Sequence, residues 1–218
     1  PARHAHMAIM PYPAHLTRVL AAPDGGFYTL RPIQSEDADR LQTFMKNLSA
    51  ESRYFRFISV LFELPPRMLV RYTQIDYDRE LALVAVVGGP AGHSDVAGGS
   101  AADAAGGSDN TERIVGVVRY LLNVDRESCE FAVAIADDWQ GKRLGSTMMR
   151  AIIEAARTKG LRRIEGYVLS TNARMLGLMI HLGFTVKTDP QDATMKLVWM
   201  EFTPGDSSSP APPLRATP

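Results

Sequence analysis

The chain carries a single cysteine, Cys129, in 218 residues. That excludes an intramolecular disulfide framework and a cysteine-rich zinc centre, and it fits a reducing, cytoplasmic location. Charge of either sign is not in excess, with 24 Lys and Arg against 24 Asp and Glu. A balanced chain has no global attraction to nucleic acid or to an anionic membrane, although a local basic site remains open to it. No apolar run approaches the roughly 20 residues of a membrane helix, and "PARHAHMAIMPYPAHL" lacks the apolar core of a secretory signal. His4 and His6 lie in that proline-rich stretch and read as incidental, so no metal site is expected. Aromatics make up only 8% of the chain. They interleave with basic residues in "RYFRF" and "RYTQIDYDRE", but neutral net charge and helical spacing favour core aromatics beside solvated charges over a nucleic-acid surface.

Apolar residues make up 45% of the sequence, enough for one substantial core. Residues 1–26 read as an extended lead-in. "FYTLRPI" alternates like a strand, and Ser35 then offers an N-cap to a helix in which Ala38, Leu41, Phe44, Met45 and Leu48 recur at helical spacing. "SAESRYFRFI" and "PPRMLVRYTQ" read as two further helical pieces, the second opened by prolines. "ELALVAVV", "RIVGVVRYLL" and "SCEFAVAIA" are strands, the first two separated by a Gly/Ala/Ser segment, 88–112, that cannot pack a core and reads as a flexible loop. A helix from Arg143 presents Leu144, Met148, Ala151, Ile152 and Ala155 as one stripe and stops at Gly160. Then come strand "RRIEGYVL", a helix capped by Asn172 and ended by Gly183, strands "FTVKT" and "TMKLVWMEF", and a tail from 203 to 218 that reads as disordered. Antiparallel strands first and strand–helix–strand units after predict an α+β fold with a mixed sheet.

In "DDWQGKRLGSTMM" two glycines, Gly141 and Gly145, flank a basic pair where a helix is about to begin. The first N–H groups of a helix lack internal partners and, with the helix dipole, attract anions. Glycine lets a phosphate approach the backbone closely, and Gln140, Lys142 and Arg143 add side-chain donors. Ordinary turn chemistry explains the same residues. The stretch is neither a dinucleotide fingerprint nor a phosphate loop with its lysine.

"WQGKRLGSTMMRAIIEAARTKGLRRIEGYVLSTNARMLGLMIHLGF" resembles the core of the GNAT superfamily of acyl-CoA-dependent N-acyltransferases. The helix-start motif of that family, (Gln/Arg)-x-x-Gly-x-(Gly/Ala), falls on Gln140, Gly141, Lys142, Arg143, Leu144 and Gly145. Arg143 stands where glycine is usual, and a non-glycine residue there must avoid positive φ or be strained. Asn172 matches the asparagine that opens the next helix, and Leu182, Gly183 and Phe184 match the motif that closes it. The resemblance implies the GNAT fold, a mixed and mostly antiparallel sheet flanked by helices, over residues 27–202, with acetyl-CoA as cosubstrate. "YTLRPIQSEDADRLQTFMKNLSAESRYFRF", "LVRYTQIDYDRELALVAV" and "EFAVAIADDWQGKRLG" are similar to the acetyltransferase domain of the bacterial Pat-type protein lysine acetyltransferases, which modify acyl-CoA synthetases.

Acyl transfer to an amine requires removal of a proton from a group whose ordinary pKa is about 10.4. Alternation in "SCEFAVAIA" puts Glu130, Ala132 and Ala134 on one face, and Cys129, Phe131, Val133 and Ile135 on the other. Glu130 is thus either a solvated residue near a strand end or a carboxylate facing a cleft. Pat-type enzymes resemble this chain in having their proposed general base at this glutamate. By the same resemblance the cofactor arm pairs with the strand at Val133 and Ile135, with an N–H near Val133 facing the thioester oxygen, and Asn172 contacts the arm besides capping its helix. Met179 occupies the position where many members have a tyrosine that protonates the leaving thiolate, and a thioether cannot do so. Tyr54, Arg56, Asp76, Tyr77 and Asp78 border the acceptor groove in the resemblance. Cys129 reads as an inert core thiol and His181 as a surface residue. The activity implied is acetylation of a protein lysine, with a small amine as the alternative acceptor and a noncatalytic acyl-CoA-binding module as the rival class.

Overall fold

A computed structural model of the chain describes residues 11–50, 52, 64–88 and 112–203. Tyr54, Arg56, all but Ser49, Ala50 and Ser52 of the helical piece expected at "SAESRYFRFI", and nearly all of the 88–112 and 203–218 segments lie outside the described residues. In chain order the elements are β1 (Arg18–Ala21), β2 (Phe27–Pro32), α1 (Ala38–Asn47), α2 (Pro66–Thr73), β3 (Glu80–Val87), β4 (Arg113–Leu122) and β5 (Ser128–Ile135). They continue with α3 (Leu144–Thr158), β6 (Arg163–Leu169), α4 (Ala173–Leu182), β7 (Thr185–Thr188) and β8 (Met195–Glu201). The strands form one sheet in the order β1-β2-β3-β4-β5-β6-β8-β7. Every neighbouring pair is antiparallel except β5–β6, which is parallel because α3 carries the chain across between them. This is the α+β, mixed-sheet arrangement expected.

β3 and β4 form the middle of the core, with residues buried on both faces. On one face Val117 and Arg119 of β4 and Ala132 of β5 meet Leu41, Phe44 and Met45 of α1. On the other, Gly116 and Ile135 meet Leu144 and Met148 of α3. The buried face of α3 is wider than the expected stripe. Met149, Ile153 and Ala156 are buried with Leu144, Met148 and Ile152, while Ala151 and Ala155 are only partly so. A helix lying on a sheet beside a second helix needs such a broad apolar arc. Farther along that face, Phe131 lies over the backbone of Gly166, where an added Cβ would sit 2.6 Å from its ring, and packs on Phe184 at 5.4 Å between ring centroids.

Two local expectations differ from the structure. The sheet begins at Arg18 instead of Phe27, because Arg18–Ala21 pairs antiparallel with β2 inside the expected lead-in. The entry to α1 is organised by Asp37 instead of Ser35, which only starts a 3-10 turn over Ser35–Asp37. Asp37 is fully buried, and Arg31 reaches it from β2 with two bonds of 2.7 and 2.8 Å. Arg40 donates to it at 3.1 Å and the Gln34 N–H at 2.8 Å. On the same face Arg119, buried beneath α2, donates to the Tyr72 carbonyl at 3.0 Å, and its guanidinium lies 4.6 Å from that ring's centre.

Burial alone would raise the Asp37 carboxyl, but the bonds from Arg31, Gln34 and Arg40 outweigh it and hold it below the ordinary aspartate value. A depressed folded value stabilises the fold above the unfolded value of about 3.9 and loses that stabilisation as pH falls through the folded one. Asp37→Asn should therefore cost about 3–5 kcal/mol at pH 7, as expected when one partner of a buried pair is removed. It should also flatten the loss of stability below about pH 4. Urea unfolding of both proteins across that range checks the pair of effects.

Candidate active site

The site begins where β5 and β6 part. Their registered pairs are Ser128–Arg163, Cys129–Ile164 and Glu130–Glu165, after which the ladder stops. The rest of β5, Phe131 to Ile135, keeps its antiparallel pairing with β4. Two bonds flanking that ladder fix its phase: Asn123 N–H donates to the Ser128 carbonyl, and Ala136 N–H to the Val115 carbonyl. Alternation then turns the backbone groups of Glu130, Ala132 and Ala134 toward β4, and those of Phe131, Val133 and Ile135 into the fork. Gln140 Nε2 reaches the Ile135 carbonyl at 3.3 Å. A strand edge inside a fold is a ready template for an extended partner.

Glu130, half-buried, stands at the apex of this fork and lines a cleft of about 1160 Å³. Its registered neighbour Glu165 is bonded to Asn123 at 3.0 Å and ion-paired with Arg163 at 3.1 Å. The cleft runs along Phe131–Ile135, between the start of α3 and the start of α4. At its far end a 3-10 turn, Asp137–Trp139, leads through Gly141 at φ +75° to Arg143, the N-cap of α3, at φ 65°. Arg143 thus takes the left-handed conformation that the usual glycine would supply, at a cost of about 1–2 kcal/mol. No side chain caps the first turn of α3, so its leading N–H groups face the cleft mouth without a side-chain acceptor.

The glycines serve the backbone differently from the simple expectation. Gly141 supplies a positive φ in open space, whereas a Cβ on Gly145 would press to 3.2 Å from Leu178 of α4. Gly145 therefore lets α3 and α4 approach.

Of the expected cofactor residues, Val133, Ile135, Gln140, Gly141, Arg143, Gly145 and Asn172 line the cleft. Lys142 and Leu144 do not present their side chains there. The Lys142 ammonium lies 5.1 Å from the centre of the Trp139 ring and 3.9 Å from Asp24, and Leu144 is 2% exposed in the core. Asn172 accepts from the Met175 N–H at 3.1 Å, so it is a true N-cap as well as a cleft residue. Met179 is fully buried and does not line the cleft. Asp76, Tyr77 and Asp78 do not line it either: Tyr77 donates to the Ile33 carbonyl, and Asp78 pairs with Arg126 at 3.0 Å. Cys129 is fully buried, and burial, with help from Glu165 and Asp125, pushes its thiol up to about 12. His181 is exposed at the rim.

Sequence reasoning missed the polar knot under the loop. Asp137 accepts from the Ser49 N–H at 3.1 Å, from Ser52 Oγ at 2.9 Å and from Gln140 Nε2 at 3.2 Å, and Arg174 donates to Gln140 Oε1 at 3.2 Å. Gln140 is therefore committed to holding the loop. Ser49 is 88 positions from Asp137, and no local pattern signals such a contact.

This geometry, a forked sheet with an uncapped helix start at the mouth of the fork, agrees with the comparisons to known proteins. Residues 28–185 match the family model described as the acetyltransferase (GNAT) domain. Acetyltransferase PA5475 of Pseudomonas aeruginosa is 34% identical over 171 residues, covering 78% of this chain and 82% of that protein. Acetyltransferase Pat of Mycolicibacterium smegmatis is 29% identical over 163 residues, covering 73% of this chain but only 41% of that protein. Among solved structures, the GNAT domain of S. lividans PAT superposes with a TM-score of 0.70 at 26% identity, covering 88% of this chain and all of that one. The chain belongs to the GNAT acetyltransferase family. It is an N-acetyltransferase, and acetyl-CoA is its cosubstrate. Among the described residues no helix is long and apolar enough to cross a membrane.

The left-handed Arg143 yields a direct test. Arg143→Gly and Arg143→Ala both remove the guanidinium, but only glycine tolerates φ 65°. The glycine variant should be the more stable by about 1 kcal/mol, the reverse of the order inside a helix, in urea unfolding.

Proposed function

We propose that the enzyme acetylates a lysine side chain of a protein, such as an acyl-CoA synthetase, by direct attack of the amine on acetyl-CoA with Glu130 as general base. The observation that carries this reading is the position of Glu130, at the apex of the fork and on the same cleft as the edge of β5 that β6 leaves. An acyl-pantetheine arm lying along that edge would pair with Val133 and Ile135 as an added strand does. Its thioester would then come to the carboxylate, and its diphosphate to the first turn of α3, where Arg143 adds positive charge.

In this mechanism the lysine ammonium first loses one proton to water, and Glu130, directly or through water, takes a second as the neutral nitrogen attacks. The amine nitrogen bonds to the acetyl carbon, the C–S bond breaks, and the pair of electrons leaves on sulfur. The charge developing on the thioester oxygen is met by the Val133 N–H, one of the groups turned into the fork. Buried Met179 cannot protonate the leaving thiolate, so that proton comes from water. Asn172 orients the arm from the start of α4.

The acceptor side supports a lysine over a compact amine. Tyr167 is registered with Leu197 two positions beyond the Glu165–Trp199 pair, so half-buried Tyr167 and Leu197 share a sheet face with Glu130. This strip suits the aliphatic stem of a lysine. The likeness to proteins named Pat points the same way.

Glu130→Gln should lower turnover by about 10²–10⁴-fold while leaving the Kd for acetyl-CoA unchanged. Thiol release assayed with protein acceptors and with a panel of small amines, alongside calorimetry with coenzyme A, measures both. Full turnover in the variant at neutral pH removes Glu130 from the mechanism, and release with small amines alone removes the protein acceptor.

A further inference from the structure

Several arginines among the described residues are held by acids. Arg31, Arg40, Arg71, Arg113, Arg126 and Arg163 each sit within 4 Å of a carboxylate, and none of them lines the cleft. The arginines that line the cleft, Arg143, Arg150 and Arg174, have no carboxylate partner among the described residues. Against these three arginines the lining carries the acids Glu130 and Asp137, so the cleft is net positive in a chain of zero net charge.

Arg150 is the member of this group that the expected diphosphate contacts do not absorb. Arg143 stands at the helix start, and Arg174 is directed to Gln140. Arg150 lies on α3 seven positions beyond Arg143, which is about 10 Å along the axis. Its side chain leans back toward the N-terminus, as helical side chains do, and its Nε lies 3.4 Å from Ser146 Oγ one turn earlier. The guanidinium is thereby carried back by about 5 Å, to the flank of the anion site at the start of the helix.

We infer that Arg150, oriented by Ser146, binds the 3′-phosphate of coenzyme A and makes the enzyme selective for coenzyme A over dephospho-coenzyme A. The 3′-phosphate hangs from the same ribose that carries the diphosphate on its 5′ carbon. With the diphosphate at the first turn of α3, this second dianion falls beside the wall that Arg150 occupies. A guanidinium offers it parallel charge-assisted bonds, and among the described residues no carboxylate lies within 4 Å of Arg150. The side chain is exposed, so the contribution falls with salt. The inference rests on acyl-CoA lying in the cleft as proposed above.

Calorimetry with coenzyme A and with dephospho-coenzyme A, on the wild type and on Arg150→Ala, tests it without any turnover. The wild type should bind coenzyme A about tenfold more tightly than dephospho-coenzyme A, and Arg150→Ala should bind both alike by losing affinity only for coenzyme A. Arg150→Lys should keep part of the preference. Equal binding of the two ligands by the wild type, or equal losses for both in Arg150→Ala, overturns the assignment of Arg150 and leaves the cofactor cleft standing. Binding of neither ligand by the wild type overturns the cleft reading itself.

Discussion

The interaction on which the site depends is one that stops: the ladder between β5 and β6 after Glu130. Had those strands stayed paired, the backbone groups of Phe131, Val133 and Ile135 would be satisfied inside the sheet, and no cleft would open between α3 and α4. The short parallel ladder is enough to register Glu130 against Glu165 and to set the direction in which the strands part. Beyond it, β5 is held by β4 and β6 by β8, so neither needs the other. The fork is thus stabilised by full pairing on its outer sides.

The helix start at the mouth of that fork shows how a substituted motif keeps its shape. Arg143 adopts the left-handed conformation despite its Cβ, which requires that the surroundings over-determine it. Those surroundings are visible. The turn before it is pinned by Arg113 on Asp138 at 2.6 Å, by Trp139 against Tyr28, and by Asp137 against Ser49 and Ser52. The turn after it is pinned by Leu144 in the core and by Gly145 against Leu178. Strain at one residue is then carried by packing on both sides, and the guanidinium is set at the place where a glycine would leave no charge.

Much of this was legible in the sequence, for stated reasons. Alternation in "SCEFAVAIA" correctly assigned Glu130, Ala132 and Ala134 to one face of β5, because a strand's side-chain period is fixed at two whatever it packs against. The ends of α3 and α4 were legible because Gly160 and Gly183 adopt positive φ, at 82° and 94°. The strand Arg18–Ala21 was not, since four residues are too few to show an alternation and its apolar Val19 is exposed. Lys142 looked like a phosphate donor because spacing reports position along the chain and says nothing of rotation toward Trp139. Asp137, Ser49 and Ser52 were invisible for a related reason: their knot joins distant segments through single polar bonds, which leave no periodicity behind.

The division of labour between backbone and side chains follows from these placements. The parts assigned to the arm and the thioester are main-chain groups of β5, and those groups are fixed by the β4 ladder whatever side chains the strand carries. The parts assigned to the anionic end are Arg143 at the start of α3 and Arg150 within it, neither of which has a carboxylate within 4 Å among the described residues. Affinity can therefore change by altering exposed side chains at the rim while the reacting geometry at Glu130 stays as the sheet sets it. A fold built in this way can keep its chemistry while its acceptor changes. The acceptor must for that reason be argued from the strip of Tyr167 and Leu197 beside Glu130, because the β5 backbone would serve any amine equally.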